Sequence, residues 1–249
     1  MIIKTSGIVV SGQAISERDK LITILTEKEG LIRAFAKGVK SFKGFNSLAS
    51  SLFCYSDFVF YKGRNSYNLS EACAIKFFFD LRNNLEKLSL AEYFCELIIS
   101  LCVQPQEAKE ILRLVLNSLH FLSKETIPRP ILKSVFEIKI LSASGYLPNL
   151  LNCKKCLTNC EDEFYLVIKE GSLYCKKCFC KSKNPCVKLS RGALFALRYV
   201  ISSPLKKAFH FSISEESKRK FCRACEEYTI NCIEKKIHTL TFYKQVCKI

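Results

Sequence analysis

The sequence predicts an α+β chain in which an N-terminal OB-fold β-barrel precedes an α-helical domain, and a zinc module with four cysteine ligands interrupts that helical domain. Residues 1–80 contain short runs of β-branched and aromatic residues separated by glycines. Apolar residues recur at helical spacing in residues 81–150 and 187–249. Two C-x-x-C pairs lie between these stretches, in residues 151–186. We therefore expect four parts with these boundaries.

Composition narrows the class of partner. The net charge of +16 on 249 residues favours a polyanion, with nucleic acid ahead of an anionic membrane surface, although an AT-rich genome would by itself enrich lysine. The opening MIIKTSGIVV lacks the features of a signal peptide, and no apolar run approaches the roughly 18 residues of a membrane span. Without a secretory signal, the 15 cysteines indicate reduced thiols or metal ligands in a cytoplasm, rather than a disulfide framework.

The barrel is predicted from strand-like runs at residues 8–10, 21–25, 31–37 and 52–62. About five short strands in this length suit a closed or partly open OB barrel better than a sandwich. Alternation in the third run separates two faces. The inward face is expected to hold Ile32, Ala34 and Ala36. The outward face is expected to hold Arg33, Phe35 and Lys37.

That outward face is the candidate nucleic-acid-binding surface. Between residues 33 and 64 a single acid, Asp57, faces six cations: Arg33, Lys37, Lys40, Lys43, Lys62 and Arg64. Single strands bind such surfaces because cations contact phosphates and exposed rings stack on bases. The candidate binding residues are Arg33, Phe35, Lys37, Lys40 and Lys43. In the alternative interpretation, Phe42 and Phe45 plug one end of the barrel and the lysines only solvate a loop.

The helical region begins at a helix that Asn84 caps, with an inward stripe of Leu85, Leu88, Tyr93, Leu97 and Leu101. Two further helices are expected at residues 106–122 and 131–144, the latter ending before Gly145. Ser190 caps a helix over residues 191–202, and another runs from residue 214 to the lysines at 235 and 236. The buried stripe of that last helix comprises Phe221, Cys225, Tyr228, Cys232 and Ile233. His120, on the second of these helices, is an ordinary core or surface residue.

The two cysteine pairs predict a structural zinc site with Cys153, Cys156, Cys175 and Cys178 as ligands. The intervening residues resemble a hairpin, with strands at 164–168 and 172–174 around a Glu170–Gly171 turn. So few apolar residues are not expected to hold this fold without the metal. Disulfides or buried thiols are the alternatives, and Cys160, Cys180 and Cys186 are possible competing ligands. The third pair, Cys222 and Cys225, lies in a helical pattern and is assigned to the core.

No catalytic motif is present. The sequence contains no P-loop, no G-x-G-x-x-G and no H-E-x-x-H, and its three histidines have no neighbours that suggest a triad. Four protein ligands would leave the zinc ion no open position for a catalytic water. We therefore expect a protein that is not an enzyme. A zinc-module transcription regulator is the alternative, although no recognition helix follows the cysteine pairs. A thiol enzyme is a third, weaker hypothesis.

The order of several short motifs resembles the bacterial RecO recombination mediators over essentially the whole chain. The matching stretches are residues 7–10 (GIVV), 17–26 (ERDKLITILT), 30–31 with 36–40, 90–97 (LAEYFCEL), 136–141 with 145–148 (GYLP), the two cysteine pairs, and 240–242 (LTF). One departure is that residues 45–51 carry no cation, so the DNA-contacting loop is expected to be shorter than in the family. Some members of the family lack the metal ligands, which implies that zinc is not the active principle.

The resemblance implies a non-enzymatic role in DNA repair and recombination, in the RecF pathway. Such proteins bind single-stranded DNA, with duplex DNA as a secondary expectation; they anneal complementary strands and help to load recombinase onto coated single strands. The implied partners are RecR and the acidic C-terminal tail of single-strand-binding protein. The implied location is cytoplasmic, with the bacterial nucleoid, and no membrane partner is expected.

Overall fold

The computed structural model describes residues 1–38, 45–64, 66–102, 107–159, 162–179 and 184–248. The chain forms two compact units: Met1–Lys124 together with His238–Ile249, and Glu125–Ile237. The α+β class is confirmed, whereas the four-part division with its boundaries stays a prediction. Within the described ranges, no helix has both the length and the apolar character needed to cross a membrane.

The described secondary structure comprises strands and helices in both units. The strands are β1 Ile2–Ala14, β2 Lys20–Thr26, β3 Gly30–Ala36, β4 Cys54–Lys62, β5 Tyr67–Phe77, β6 Asn149–Cys153, β7 Glu163–Val167, β8 Ser172–Cys175 and β9 Cys186–Ser190. The helices are α1 Phe45–Ala49, α2 Leu85–Leu101, α3 Lys109–Lys124, α4 Arg129–Ala143, α5 Arg191–Ser202, α6 Leu205–Ala208, α7 Glu215–Ile233 and α8 His238–Cys247.

In the first unit, five strands close into a barrel in the order β1-β2-β3-β5-β4, and β4 pairs back to β1. Only the β3–β5 pairing is parallel; the other four ladders are antiparallel. The strand-like runs in the sequence predict β1 to β4, but the observed β1 is much longer than the predicted run at residues 8–10. They do not locate β5, because Ser70, Glu71 and Lys76 interrupt its apolar and β-branched residues.

The barrel interior follows the predicted alternation of β3. Ile32, Ala34 and Ala36 are buried, and the residues between them face outward. They join a cluster of buried residues that also contains Val9, Ile22, Ile24, Ala49, Phe58, Phe60 and Ala72. The rings of Phe58 and Phe60 stack with centroids 5.4 Å apart and fill much of this space. The cluster therefore combines small alanines with large rings, which helps side chains to fill a narrow barrel.

Gly7 of β1 is expected to tolerate no side chain. A Cβ at this position would lie 2.7 Å from the carbonyl oxygen of Leu25 and 3.0 Å from the Cα of Thr26, both backbone atoms of the paired strand. We expect Gly7→Ala to lower the free energy of unfolding by about 1–3 kcal/mol, the range seen for overpacked interiors. Urea unfolding measures the loss. Gly12→Ala in the same strand is the control, because its nearest neighbour is 3.9 Å away; equal losses for the two variants would contradict the steric explanation.

The predicted inward stripe of α2 is buried at Tyr93, Leu97 and Leu101, whereas Leu88 is only half-buried. The side chain of Asn84 accepts a hydrogen bond from Lys87 N at 3.0 Å and caps α2 as predicted. Leu85 is wrong as a member of the inward stripe, since it is 56% exposed at the first residue of α2. The final helix α8 packs on α2, where the carboxylate of Glu96 accepts the backbone N–H of Thr239 at 2.9 Å and caps it. Neither α8 nor this capping contact was predicted.

In the second unit, β6-β8-β7-β9 form one sheet, and α7 packs against α4, α5 and β9. The predicted hairpin is present, with Gly171 in the left-handed conformation at its turn (φ 57°). Strand β9, which the sequence does not predict, pairs with β7, and the expectation that the hairpin does not hold its fold without the metal stays a prediction. The buried side chains Phe164, Leu166, Val187 and Leu189 line β7 and β9, which the helices contact.

The helix ends in the second unit are set by capping residues and by residues in the left-handed conformation. Ser190 caps α5 as predicted by accepting from Ala193 N at 3.3 Å, and Gly145 (φ 87°) follows α4. The predicted end of α7 at the lysines is wrong, because Glu234 adopts a left-handed conformation (φ 53°) and terminates the helix at Ile233. Cys232 is only half-buried, so it does not belong to the buried stripe of α7.

Candidate nucleic-acid interface and metal centre

The outer face of β3 presents a ring between two cations. Arg33, Phe35 and Lys37 are all exposed, and 39% of Phe35 remains accessible. Neither Arg33 nor Lys37 forms an ion pair within the described part of the chain. Their positive charges are therefore available to an external anion, and the ring lies between them. This is the arrangement that the sequence predicts for these three residues.

A second exposed ring lies on the same face of the barrel. Phe35 is in register with Asn68 of β5, and Asn68 is in register with Tyr61 of β4. Residues in register point to the same side of a sheet, and two strand spacings place the Cα atoms of Phe35 and Tyr61 about 10 Å apart. Tyr61 is 58% exposed. Tyr61 cannot be predicted from the sequence, because only the insertion of β5 between β3 and β4 brings it near Phe35.

The remaining predicted cations divide into three groups. Lys62 Nζ lies 3.2 Å from the carboxylate of Glu29, an acid outside residues 33–64. This ion pair makes Lys62 less available to an external phosphate. Arg64 is exposed and has no ion-pair partner among the described residues. Lys40, Lys43 and Phe42 lie outside the described residues. The alternative in which phenylalanines plug the barrel therefore stays open.

The chain leaving β3 is held by a hydrogen bond from Gly38 N to the carboxylate of Asp19, at 2.9 Å. Gly38 adopts a left-handed conformation (φ 67°), which glycine enters without steric cost. Asp19 comes from the loop between β1 and β2, so this hydrogen bond ties that loop to the residue after Lys37. The basic turn predicted at residues 38–44 otherwise lies outside the described residues.

The four predicted zinc ligands form one cluster. The Sγ atoms of Cys153, Cys156, Cys175 and Cys178 all lie within 4.8 Å of one another. The Sγ atoms of Cys156 and Cys175 are 3.6 Å apart, too far for a disulfide bond of about 2.05 Å. Zinc with four Zn–S bonds of about 2.3 Å in a tetrahedron separates its sulfurs by about 3.8 Å. The geometry and the donor set therefore fit a metal ion held by four thiolates.

Each C-x-x-C turn is closed by a backbone hydrogen bond from the residue that follows its second cysteine to the carbonyl of its first cysteine. Leu157 N donates to Cys153 O at 2.9 Å, and Phe179 N donates to Cys175 O at the same distance. In the first turn the chain leaves through Leu157 in a left-handed conformation (φ 62°), although leucine disfavours that region. We call these two turns, residues 153–157 and 175–179, the knuckles.

The sulfurs of the cluster differ in acidity. Burial opposes a charge on Cys153, but backbone hydrogen bonds from Cys156, Cys175 and Lys155 outweigh it and lower the pKa of Cys153 to about 6. Hydrogen bonding with the Cys156 sulfur, together with desolvation, raises the pKa of Cys178 to about 12. The cluster therefore stabilises one thiolate with backbone donors, as a metal-binding thiolate requires.

The remaining candidate metal ligands are compared next with the four-thiol cluster, where the structure describes them. Cys186, at the start of β9, is not part of the four-thiol cluster, and Cys160 and Cys180 lie outside the described residues. Cys225 is buried and Cys222 half-buried, and burial raises the pKa of both thiols. The assignment to the core therefore holds for Cys225 and not for Cys222. His120 is exposed, with its Nδ1 3.5 Å from Lys76 Nζ.

Comparison with known proteins gives a consistent match along the chain. The family model described as recombination protein O N terminal matches residues 1–78, and the model described as recombination protein O C terminal matches residues 82–241. A DNA repair protein RecO from Acetivibrio thermocellus is 35% identical over 248 residues, which cover 99% of this chain and 98% of the relative. RecO proteins from Clostridium novyi and Alkaliphilus metalliredigens are 28% and 34% identical, covering 97% and 72% of this chain and 93% and 72% of theirs.

Proposed function

This chain belongs to the RecO family of DNA repair proteins, and from that premise we propose that it is a non-enzymatic recombination mediator. In this proposal it binds single-stranded DNA on the barrel, anneals complementary strands and helps to load recombinase onto coated single strands. Family membership and the net charge of +16 support an anionic partner of this kind. We place its activity in the bacterial cytoplasm, with the nucleoid.

One observation carries the proposed binding mode: Phe35 and Tyr61 share a face of the barrel with Arg33 and Lys37, whose charges have no ion-pair partner among the described residues. Cations follow phosphates at any sequence, and every base has a flat surface on which a ring can stack. Such a surface favours strands with unpaired bases over a duplex, whose bases are already stacked. The proposed binding residues are Arg33, Phe35, Lys37, Lys40, Lys43 and, newly, Tyr61.

The other proposed partners follow from the family and from the thiol cluster. We propose that Cys153, Cys156, Cys175 and Cys178 hold a structural Zn²⁺ ion, whose role is to fix the two knuckles rather than to react. RecR and the acidic tail of single-strand-binding protein are the proposed protein partners. Duplex DNA is a weaker nucleic-acid partner.

The test is a competition titration of single against double strands at two salt concentrations, followed by metal analysis on the same sample. We expect the protein to bind single strands more tightly than double strands. The logarithm of this affinity should fall by about 0.7 per log unit of salt concentration for each neutralised phosphate. Replacing Lys37, Lys40 and Lys43 together by glutamate is expected to weaken binding at least tenfold for all base sequences. It should also flatten the salt slope by about 2.

The control for charge reversal is a triple glutamate variant at Lys206, Lys207 and Lys235, which are exposed lysines of the second unit with the same total charge change. Equal weakening by the two triple variants would mean that net charge alone drives binding, and would refute the site. A preference of the wild-type protein for duplex DNA of one base sequence would instead favour a transcription regulator.

We expect the two rings to contribute separately from the cations. Phe35→Ala and Tyr61→Ala should each weaken single-strand binding by about 1–3 kcal/mol, the value of one stacked base, and leave the salt slope unchanged. Fluorescence anisotropy with a labelled oligonucleotide measures both quantities. Tyr146→Ala is the matched control, because Tyr146 is 46% exposed but lies in the second unit. A Tyr61→Ala variant that binds like the control would remove Tyr61 from the interface.

A further inference from the structure

The two knuckles carry the same pair of residues between their cysteines, Lys154–Lys155 in the first and Lys176–Lys177 in the second. The geometry of the turn does not require lysine, since the turn is held by backbone hydrogen bonds. Residues 149–190 as a whole contain eight lysines and four acids. The excess of positive charge is therefore concentrated at the tips of the metal-binding turns.

Three of these four cations are available to an external anion. Lys154 Nζ lies 2.7 Å from the carboxylate of Glu170 and is paired. Lys155, Lys176 and Lys177 are exposed and form no ion pair with any described residue. The nearby carboxylate of Glu163 is already held by Lys188 at 2.6 Å, which leaves Asp162 as the remaining described acid of the sheet.

The three lysines lie close enough together for one nucleic-acid strand to span them. Because the four sulfurs lie within 4.8 Å of one another, the Cα atoms of the knuckle lysines lie within roughly 20 Å of one another, a span that covers several phosphates. An aromatic pair begins where the second knuckle ends. The rings of Tyr165 and Phe179 stack in parallel with centroids 4.1 Å apart, and both residues are only half-buried. A base can stack on such a surface.

We propose that Lys155, Lys176 and Lys177 form a second phosphate-binding surface, on which the second unit takes the backbone of another nucleic-acid strand. The inference rests on the proposed function, because annealing brings together two strands that repel each other. The barrel accounts for one of them, and the knuckles supply cations for the other. A metal-bound shell of four thiolates carries about two negative charges, which three free lysines more than offset.

The experiment uses full-length, zinc-loaded protein and the variant Lys155→Gln/Lys176→Gln/Lys177→Gln. Anisotropy with one labelled oligonucleotide measures first-strand affinity. Binding of a second, non-complementary oligonucleotide to the saturated complex measures second-strand capture, and energy transfer between complementary labelled strands measures annealing. We expect first-strand affinity to change less than about threefold, second-strand capture to be lost, and annealing to slow at least tenfold. The salt slope of second-strand capture should fall by about 2.

The control is Lys206→Gln/Lys207→Gln/Lys235→Gln, which removes the same charge from exposed positions elsewhere in the second unit. Annealing and capture equal to this control would overturn the proposal. The proposal would also be overturned if the triple variant lost zinc but still captured the second strand. The lysines would then support metal binding and not bind DNA. Loss of binding to a polyglutamate peptide with unchanged capture would assign the surface to an acidic protein instead.

Single substitutions distinguish a loss of phosphate binding from a folding defect in the triple variant. Each of Lys155→Gln, Lys176→Gln and Lys177→Gln should keep one zinc per chain and lower the salt slope of second-strand capture by about 0.7. Unchanged slopes in all three would overturn the proposal. Wild-type protein that binds no single strand at all would refute the proposed function itself. Normal first-strand binding with no effect of the knuckle variants would refute only this inference.

Discussion

Removal of the metal by a strong chelator is expected to release the two knuckles while the barrel stays folded. Zinc supplies roughly 10–16 kcal/mol of apparent free energy in small zinc-dependent folds, which sets the upper limit of the loss. The loss is smaller here to the extent that β7 and β9 keep their contacts with α5 and α7, which do not involve the sulfurs. We therefore expect local opening at residues 153–157 and 175–179, and a loss of several kcal/mol in the stability of the second unit.

Hydrogen exchange of the amides measures this effect by region. The N–H groups of Leu157 and Phe179, which close the knuckles, should exchange at least tenfold faster without metal, and those of β1 to β4 should not change. Cys156→Ser should reproduce the result and abolish stoichiometric zinc. Cys222→Ser, in the helical C-x-x-C pair, should retain one zinc per chain. Loss of zinc in Cys186→Ser would instead show that Cys186 replaces one of the four ligands, and unchanged exchange after chelation would contradict a structural role for the ion.

Lys133→Met is expected to destabilise the second unit by about 3–5 kcal/mol. Lys133 Nζ lies 2.7 Å from Glu137 and 2.9 Å from Glu226, and the side chains of Lys133 and Glu137 are only 7% and 0% exposed. Burial disfavours the ammonium group, but the two carboxylates outweigh it and raise the pKa of Lys133. Removal of the cation would leave the buried carboxylate of Glu137 without that compensating charge, and this desolvated charge is the source of the loss.

Urea unfolding, followed by circular dichroism and by exchange of the α4 and α7 amides, measures the loss. The double variant Lys133→Met/Glu137→Leu should recover most of it, because an apolar replacement leaves no buried charge. Lys220→Met is the control: its i,i+4 partner Glu216 lies 2.6 Å away but is 69% exposed, so a change of about 0.5 kcal/mol or less is expected. Equal effects of Lys133→Met and Lys220→Met would contradict the role of burial.

The parts of the proposed interface that could be predicted depend on local periodicity. Alternation along β3 was sufficient to place Arg33, Phe35 and Lys37 on one face, because neighbouring side chains of a strand point to opposite sides. Tyr61 could not be predicted in the same way. Its position beside that face depends on the registers of β3 with β5 and of β5 with β4, which pair residues about thirty positions apart in the first case.

The same distinction applies to the second unit. Lysine and glutamate at positions 133 and 137 have the spacing of an ordinary exposed pair on a helix, and only the packing of α4 against α7 buries them and adds Glu226. The end of α7 was misplaced for a similar reason. The two lysines after Ile233 suit a helix C-terminus electrostatically, but Glu234 turns the chain before they are reached.

By itself, the sequence determined the class of the chain, the caps of α2 and α5, the outward face of β3 and the set of four cysteines, because each depends on residues close together or on the fixed spacing of a turn. Tertiary structure decided which strand separates β3 from β4, which acid pairs with Lys62, and which lysine is buried between carboxylates. These outcomes depend on contacts between segments far apart in the chain, and their free energies are determined only when burial and register are known.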